Sequence, residues 1–231
     1  MHIIKKIFTA NNFFIAAVAA FAASLIYLIL LRLIPHMEEN YNLITRTDYE
    51  FLPLFTFLGL LTMFWPVVIR KLAGYAVSGA LLVLYTAFVV GGLLLGTVFD
   101  FYYLITHWDT LLHFISGIAL GLLGFAIVDA IERKHNVKYN KVFIVMFAFC
   151  FAKALGALWE ISEFFTDTLL GANTQRWADA YGEPFVGQAA LFDTMKDMIA
   201  NTLGAILVCV WGGLYLRKNS WPKFMAINKV R

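Results

Sequence analysis

AGYAVSGALLVLYTAFVVGGLLLGTV, residues 73–98, runs for 26 residues without a charged side chain. A helix of about 20 mainly apolar residues is enough to cross the hydrocarbon core of a bilayer, which is roughly 30 Å thick. Five further runs qualify: about 13–34 and 51–69 before it, and about 110–131, 142–169 and 191–215 after it. Composition agrees. The 231 residues are 61% hydrophobic and 14% charged, with a mean hydropathy of +0.75. A soluble domain of this length cannot face water with so little polar surface. The expected fold is therefore all-α, a polytopic six-helix transmembrane bundle forming one integral membrane domain over residues 1–231. The first run follows Lys5 and Lys6, as a signal peptide would. It continues to Ile34, past the length of a signal-peptide core, so an uncleaved span is expected.

Basic residues set the orientation. With six spans, the N-terminus, the loops after spans two and four, and the C-terminal tail share one side. They hold Lys5, Lys6, Arg70, Lys71, Arg133, Lys134, Lys138, Lys141, Arg217, Lys218, Lys223, Lys229 and Arg231, which is 13 of the 18 Lys and Arg residues. The opposite loops and helix mouths hold Arg32, Arg46, Arg176 and Lys196, and Lys153 lies inside span five. The positive-inside rule then predicts both termini in the cytoplasm.

Other classes recede. A net charge of +3 gives no global basic field for nucleic acid. Cys150 and Cys209 lie in apolar runs without zinc or redox spacing and read as small buried hydrophobes. The 16% aromatic content suits interfacial belts, and the expected partners are membrane lipids. Oligomeric state is left open.

Charged residues inside a bilayer are costly, so each needs a reason. Span four begins with Trp108-Asp109 and carries His113 one turn on, stacked on Asp109 by the i, i+4 spacing. Span five carries Glu160, Glu163 and Asp167 on one face, with Gly156 and Lys153 extending that stripe deeper. Span six carries Asp193, Asp197 and Asn201 at i, i+4 and i+8, with Gly204 below. Span four starts, span five ends and span six starts at the outer side. All three stripes thus fall in the outer half of the membrane, covering about 6 Å of depth in span four and about 12 Å in span six at 1.5 Å per residue. Packed together, they make one pocket open to the extracytoplasmic side.

Six carboxylates cannot all stay ionised at close range without cations. A divalent ion resolves the conflict, and carboxylates with one imidazole suit zinc, manganese, magnesium or calcium. Helical bundles build metal sites from Glu, Asp and His at these spacings. The metal ligands expected are His113, Glu160, Glu163 and Asp197. Asp109 and Asp193 are the candidate catalytic acids, Asp109 by orienting His113 and Asp193 as a base. Asn201, Asp167 and Lys153 complete the polar set. Plainer roles compete with these. Asp109 and Asp193 could each cap a helix, Asp167 could stand solvated in the interface, and Lys153 could pair with an acid or snorkel.

The segments WDTLLHF at 108–114, LWEISEF at 158–164, GANTQ at 171–175 and DTMKDMIANTLGA at 193–205 carry a resemblance. The chain resembles the YjdF-like family of bacterial inner-membrane proteins, most strongly from about 105 to 210. The resemblance implies a bacterial plasma-membrane protein and brings no mechanism. A looser likeness runs to VanZ-like proteins, which also carry an Asp and a His near the start of a membrane helix.

Three functions suit such a pocket. One is a metal-dependent hydrolase or transferase acting on a lipid or envelope precursor from the outer face. Another is transport of a cation, proton or small solute. Against transport, the inner halves of spans four to six, such as Leu120–Val128 and Val142–Ala152, are nearly free of polar side chains. The third is a structural or sensing protein with a structural cation.

Overall fold

The computed structural model describes residues 9–33, 52–179, 181–218 and 220–229. The basic residues Lys5, Lys6, Arg46 and Arg231 and the acidic residues Glu38, Glu39, Asp48 and Glu50 lie outside the described residues. Among the described residues, six helices are long and apolar enough to cross a membrane: Ala10–Leu30, Leu52–Leu72, Gly79–Val98, Trp108–His135, Lys141–Leu170 and Gln188–Lys218. They are spans one to six.

Two spans depart from a plain α-helix, each for a local reason. Span two is two helices, Leu52–Met63 and Trp65–Ala73, that meet at Phe64. Pro66 lies in the first turn of the second helix. Its missing N–H leaves no bond unmade there, and its ring would clash in a continuous helix. The basic pair Arg70-Lys71 makes the apolar run seem to end at Ile69, yet the helix continues to Ala73 and stops at Gly74, whose φ of +69° suits glycine. Pro66 therefore lies inside the span, where its two helices meet. Span three changes at Val90 into a π-helix that runs to Val98. Gly92 and Gly96 on this segment face Tyr102, and a Cβ on Gly96 would come within 2.7 Å of the ring's Cζ. Beside them the Trp108 indole donates to the Gly91 carbonyl at 3.1 Å, tying span three to the start of span four.

Spans one to three pack around Ala17, Phe21, Met63, Val89, Leu94 and Val98. Spans four to six form a tighter bundle around Phe125, Ala126, Val128, Ile144, Ala148 and Val208. The tightness comes from glycine. A Cβ on Gly117 would overlap the backbone of Asn201, and one on Gly204 would overlap the carbonyl of Phe114. Spans four and six thus approach backbone to backbone, as small residues permit in membrane helices. Further along, Gly124 faces the backbone of Ala148 in span five, where a Cβ would come within 2.8 Å of the Ala148 Cα.

One end of the molecule is closed by tail and loops. β1, Tyr75–Val77, pairs antiparallel with β2, Ile227–Lys229. Arg133 donates to the Ile227 carbonyl, and Lys141 donates to the Arg217 carbonyl at 3.2 Å. The loops after spans two and four therefore meet the C-terminal tail, the grouping that an even number of spans requires. The polar pocket lies at the opposite end.

Candidate metal centre

At that opposite end, the chain passes from span three to span four through a short helix, Phe101–Leu104. Asp100 and His107, on either side of it, both take a left-handed φ of 64°. Span four then begins at Trp108, so Asp109 sits within its first turn rather than as its cap, and no side-chain cap bond is made there. Asp193 is likewise inside a helix that starts at Gln188. Both side chains are free of capping duty and buried.

Three elements bring the acids to His113. The imidazole stands between two carboxylates, with Nε2 3.5 Å from Asp109 Oδ1 and Nδ1 3.5 Å from Glu160 Oε1. The close crossing at Gly117 and Gly204 brings Asp197 of span six against the same ring. As a result, Asp109, His113 and Asp197 each offer a ligand atom within 4.8 Å of the others. Asp197 is 2% exposed and Glu160 5% exposed. Asp197 Oδ1 and Glu160 Oε1 are both buried without a hydrogen-bond partner. Leaving a buried carboxylate oxygen unpaired costs about 1–3 kcal/mol or more; Glu160 Oε1 at least faces His113 Nδ1, whereas Asp197 Oδ1 has no such neighbour among the ion pairs of the described residues.

The remaining residues of the three stripes divide by depth and task. Asn201, fully buried, donates to Ser116 Oγ at 2.9 Å and accepts from Lys153 Nζ at 3.1 Å. Its amide lies on Gly156, where a Cβ would be 2.6 Å from Oδ1. Lys153 also donates to the Met198 carbonyl at 3.0 Å. It thus ties span five to span six through a carbonyl and an amide. Glu163 accepts from the Trp159 indole at 2.8 Å and stands outside the three-residue cluster.

Asp167 is neither solvated nor in the cluster. It is buried and accepts from Thr174 N at 2.7 Å, Thr174 Oγ1 at 2.6 Å and Gln175 N at 2.9 Å. The GANTQ segment is folded over this one carboxylate, and Asn173 closes it by exchanging two bonds with Ala178.

That segment delivers the residue that the stripes alone do not reveal. Arg176 lies at the pocket mouth, with Nη2 3.6 Å from Asp109 Oδ2 and Nη1 3.8 Å from Asp193 Oδ1. Lys196 joins it, 2.6 Å from Asp193 Oδ1 and 3.7 Å from Asp197 Oδ2. Lys196 was legible as a member of the span-six stripe, since Asp193, Lys196 and Asp197 fall at i, i+3 and i+4. Arg176, on a loop, had no periodicity to place it.

A family described as "Predicted membrane protein (DUF2238)" matches residues 13–218. The chain belongs to this family. The match runs from within span one to the end of span six and takes in the whole polar cluster, and it is consistent with the YjdF-like resemblance. An "Uncharacterized protein" of Thermotoga maritima is 32% identical over 111 residues, covering 48% of this chain. The chain spans half the length of that relative (50%). No solved structure matches this chain.

Proposed function

We propose that this membrane protein binds one divalent cation through Asp109, His113 and Asp197, and uses it to act on a lipid or envelope substrate from the extracytoplasmic side. The observation carrying this is the three-residue cluster, whose member Asp197 keeps one buried oxygen without a hydrogen-bond partner. Charge points the same way. Around the pocket stand five carboxylates (Asp109, Glu160, Glu163, Asp193, Asp197) and three basic side chains (Lys153, Arg176, Lys196), leaving two negative charges over. A dication closes that gap without protonating either surplus acid.

Two carboxylates and one imidazole suit zinc or manganese. Glu160 then has a role distinct from that of a ligand. It faces Nδ1 of His113, so it can hold the Nδ1 proton and present Nε2 to the ion. Three protein ligands leave room for water or substrate, the pattern of catalytic rather than structural sites. An ion so placed activates water or polarises a carbonyl or phosphoryl oxygen, which makes hydrolysis or group transfer the reaction class. Conduction is disfavoured because the bundle below the pocket is closed by Phe125, Ala126, Val128, Ala148 and Val208.

Metal analysis of purified protein tests the reading. Wild type is expected to carry about one zinc or manganese per chain, and His113→Ala and Asp197→Asn to lose it. Equal metal content in all three proteins would overturn the ligand set. A lipid that accumulates in deletion cells, and disappears when wild type but not His113→Ala is restored, would support the catalytic part.

A further inference from the structure

We propose that the segment joining spans five and six is a membrane-docking hairpin, with Trp177, Phe185 and Val186 seated in the interfacial layer of the leaflet at the pocket end. This goes beyond the cation reading and does not depend on it. The lipid-facing surface leads up to the segment from both sides. The exposed residues of span five from Ile161 to Leu170 and of span six from Gln188 to Ile199 are all uncharged, with Leu169 75% and Phe192 68% exposed. Span five has 30 residues, about 45 Å at 1.5 Å per residue, close to the roughly 40–45 Å of a bilayer with its headgroup layers. The connecting segment therefore leaves span five at the edge of the headgroups. It then turns back toward the membrane. Thr174 Oγ1 donates to the Glu163 carbonyl at 3.3 Å, two turns or about 10 Å below Leu170. Arg176 Nη2 donates to the Tyr102 carbonyl at 3.2 Å, which holds the root of the hairpin level with the start of span four.

From this root the chain presents apolar side chains outward. Val186 is 86% exposed, and Trp177, Tyr181 and Phe185 are exposed with it. Among the described residues from 177 to 187, Glu183 is the one exposed charged residue. Neighbouring exposed hydrophobes mark a membrane or partner surface, and Trp and Tyr favour the membrane interface.

The backbone is prepared for the same place. In a layer poor in water, N–H groups must be satisfied within the protein. Among the described residues from 178 to 185, all are. Ala178 N donates to Asn173 Oδ1 at 3.1 Å, and Tyr181 N and Glu183 N donate to Asp179 Oδ1 at 2.8 and 3.0 Å. Asp179 N donates to the Glu183 carbonyl at 3.0 Å, Gly182 N to the Asp179 carbonyl at 3.1 Å and Phe185 N to the Trp177 carbonyl at 2.9 Å. Pro184 has no N–H to satisfy. The Trp177 indole N–H is also spent inward, on the Ala172 carbonyl at 3.1 Å, which leaves its ring an apolar surface. A hairpin with its donors used internally and its rings turned outward fits lipid better than water or a polar partner. Because it grows from Arg176, 3.6 Å from Asp109, its docking holds the pocket mouth within the headgroup layer.

Spin labels on full-length protein in phosphatidylcholine nanodiscs test this. In a background with Cys150 and Cys209 replaced by alanine, Val186→Cys is labelled with a nitroxide. Its collisions with oxygen, which concentrates in lipid, are compared with those of a water-soluble nickel chelate. Leu203→Cys on the lipid face and Lys134→Cys at the opposite end give the lipid and water references. The oxygen-to-nickel ratio at Val186→Cys is expected to exceed that at Lys134→Cys by about tenfold and to approach that at Leu203→Cys. Phe185→Cys provides a second site should the first label lower the melting temperature. A ratio equal to that at Lys134→Cys would place the hairpin in water and overturn the proposal. Low collision rates with both reagents would mean that protein, such as a second copy of the chain, covers the hairpin instead of lipid, and would overturn it equally.

Discussion

Gly117 of span four lies directly against the backbone of Asn201 in span six, with no room for a side chain. His113 is one turn from Gly117 and Asp197 one turn from Asn201, so this contact sets the distance between two of the three clustered residues. Gly117→Val must push the helices apart or distort them, and overpacking of this kind costs about 1–3 kcal/mol. The expected outcome is a lower melting temperature in detergent together with loss of bound metal. Gly92→Ala serves as the control, since its Cβ would meet only the Tyr102 hydroxyl at an ordinary 3.6 Å. A Gly117→Val protein with wild-type melting and metal content would mean that the crossing does not hold the site together.

Lys196 sets up a competition. Its ammonium is 2.6 Å from Asp193 and 3.7 Å from Asp197, so it occupies part of the field that a metal ion would use. At these distances a unit charge in a protein surface environment acts with an energy of a few kcal/mol, about 4 kcal/mol at 4 Å before screening. Lys196→Met is therefore expected to bind zinc or manganese at least tenfold more tightly than wild type. Calorimetric titration of metal-free protein would measure it. Unchanged or weaker affinity would place the ion away from Asp197.

How much of this was legible in the sequence follows from what each signal depends on. The six spans are written in apolar runs, because bilayer thickness fixes their length. The stripe of Asp193, Asp197 and Asn201 is written in helical spacing, and the structure keeps those residues on one buried face. Spacing cannot separate residues by what their neighbours do. Asp167 lies on the same stripe as Glu160, yet it serves the GANTQ backbone, and only the path of that loop reveals it. Lys153 offered two readings, pairing with an acid or snorkelling. Its actual partners, a carbonyl and an amide on span six, depend on how the helices rotate against each other. Arg176 required both the loop path and the helix rotation.

Orientation can be checked without reference to the site. Tyr181, 92% exposed, lies at the pocket end, and exposed Lys134 lies at the end of the β1–β2 sheet. In a background where Cys150 and Cys209 are replaced by alanine, Tyr181→Cys is expected to react with an impermeant maleimide on spheroplasts. Lys134→Cys should react only after the membrane is opened. The reverse pattern would turn the pocket toward the cytoplasm and with it the side from which any ligand arrives.

Asp167 gives the last test, because it separates holding the loop from holding the ion. Its carboxylate accepts three hydrogen bonds from Thr174 and Gln175, and bonds to a charged acceptor contribute about 1.5–3 kcal/mol each, net of exchange with water. Asp167→Ala removes all three. It leaves Asp109, His113 and Asp197 untouched, since these sit on spans four and six, held together by their glycine crossing. The loop should therefore open while the cluster stays assembled. Limited proteolysis is expected to cut between residues 171 and 187 much faster than in wild type, with metal content preserved. Metal loss that accompanies loop cleavage would instead mean that this loop and the cluster fold as one unit, and that Asp167 belongs to the site after all.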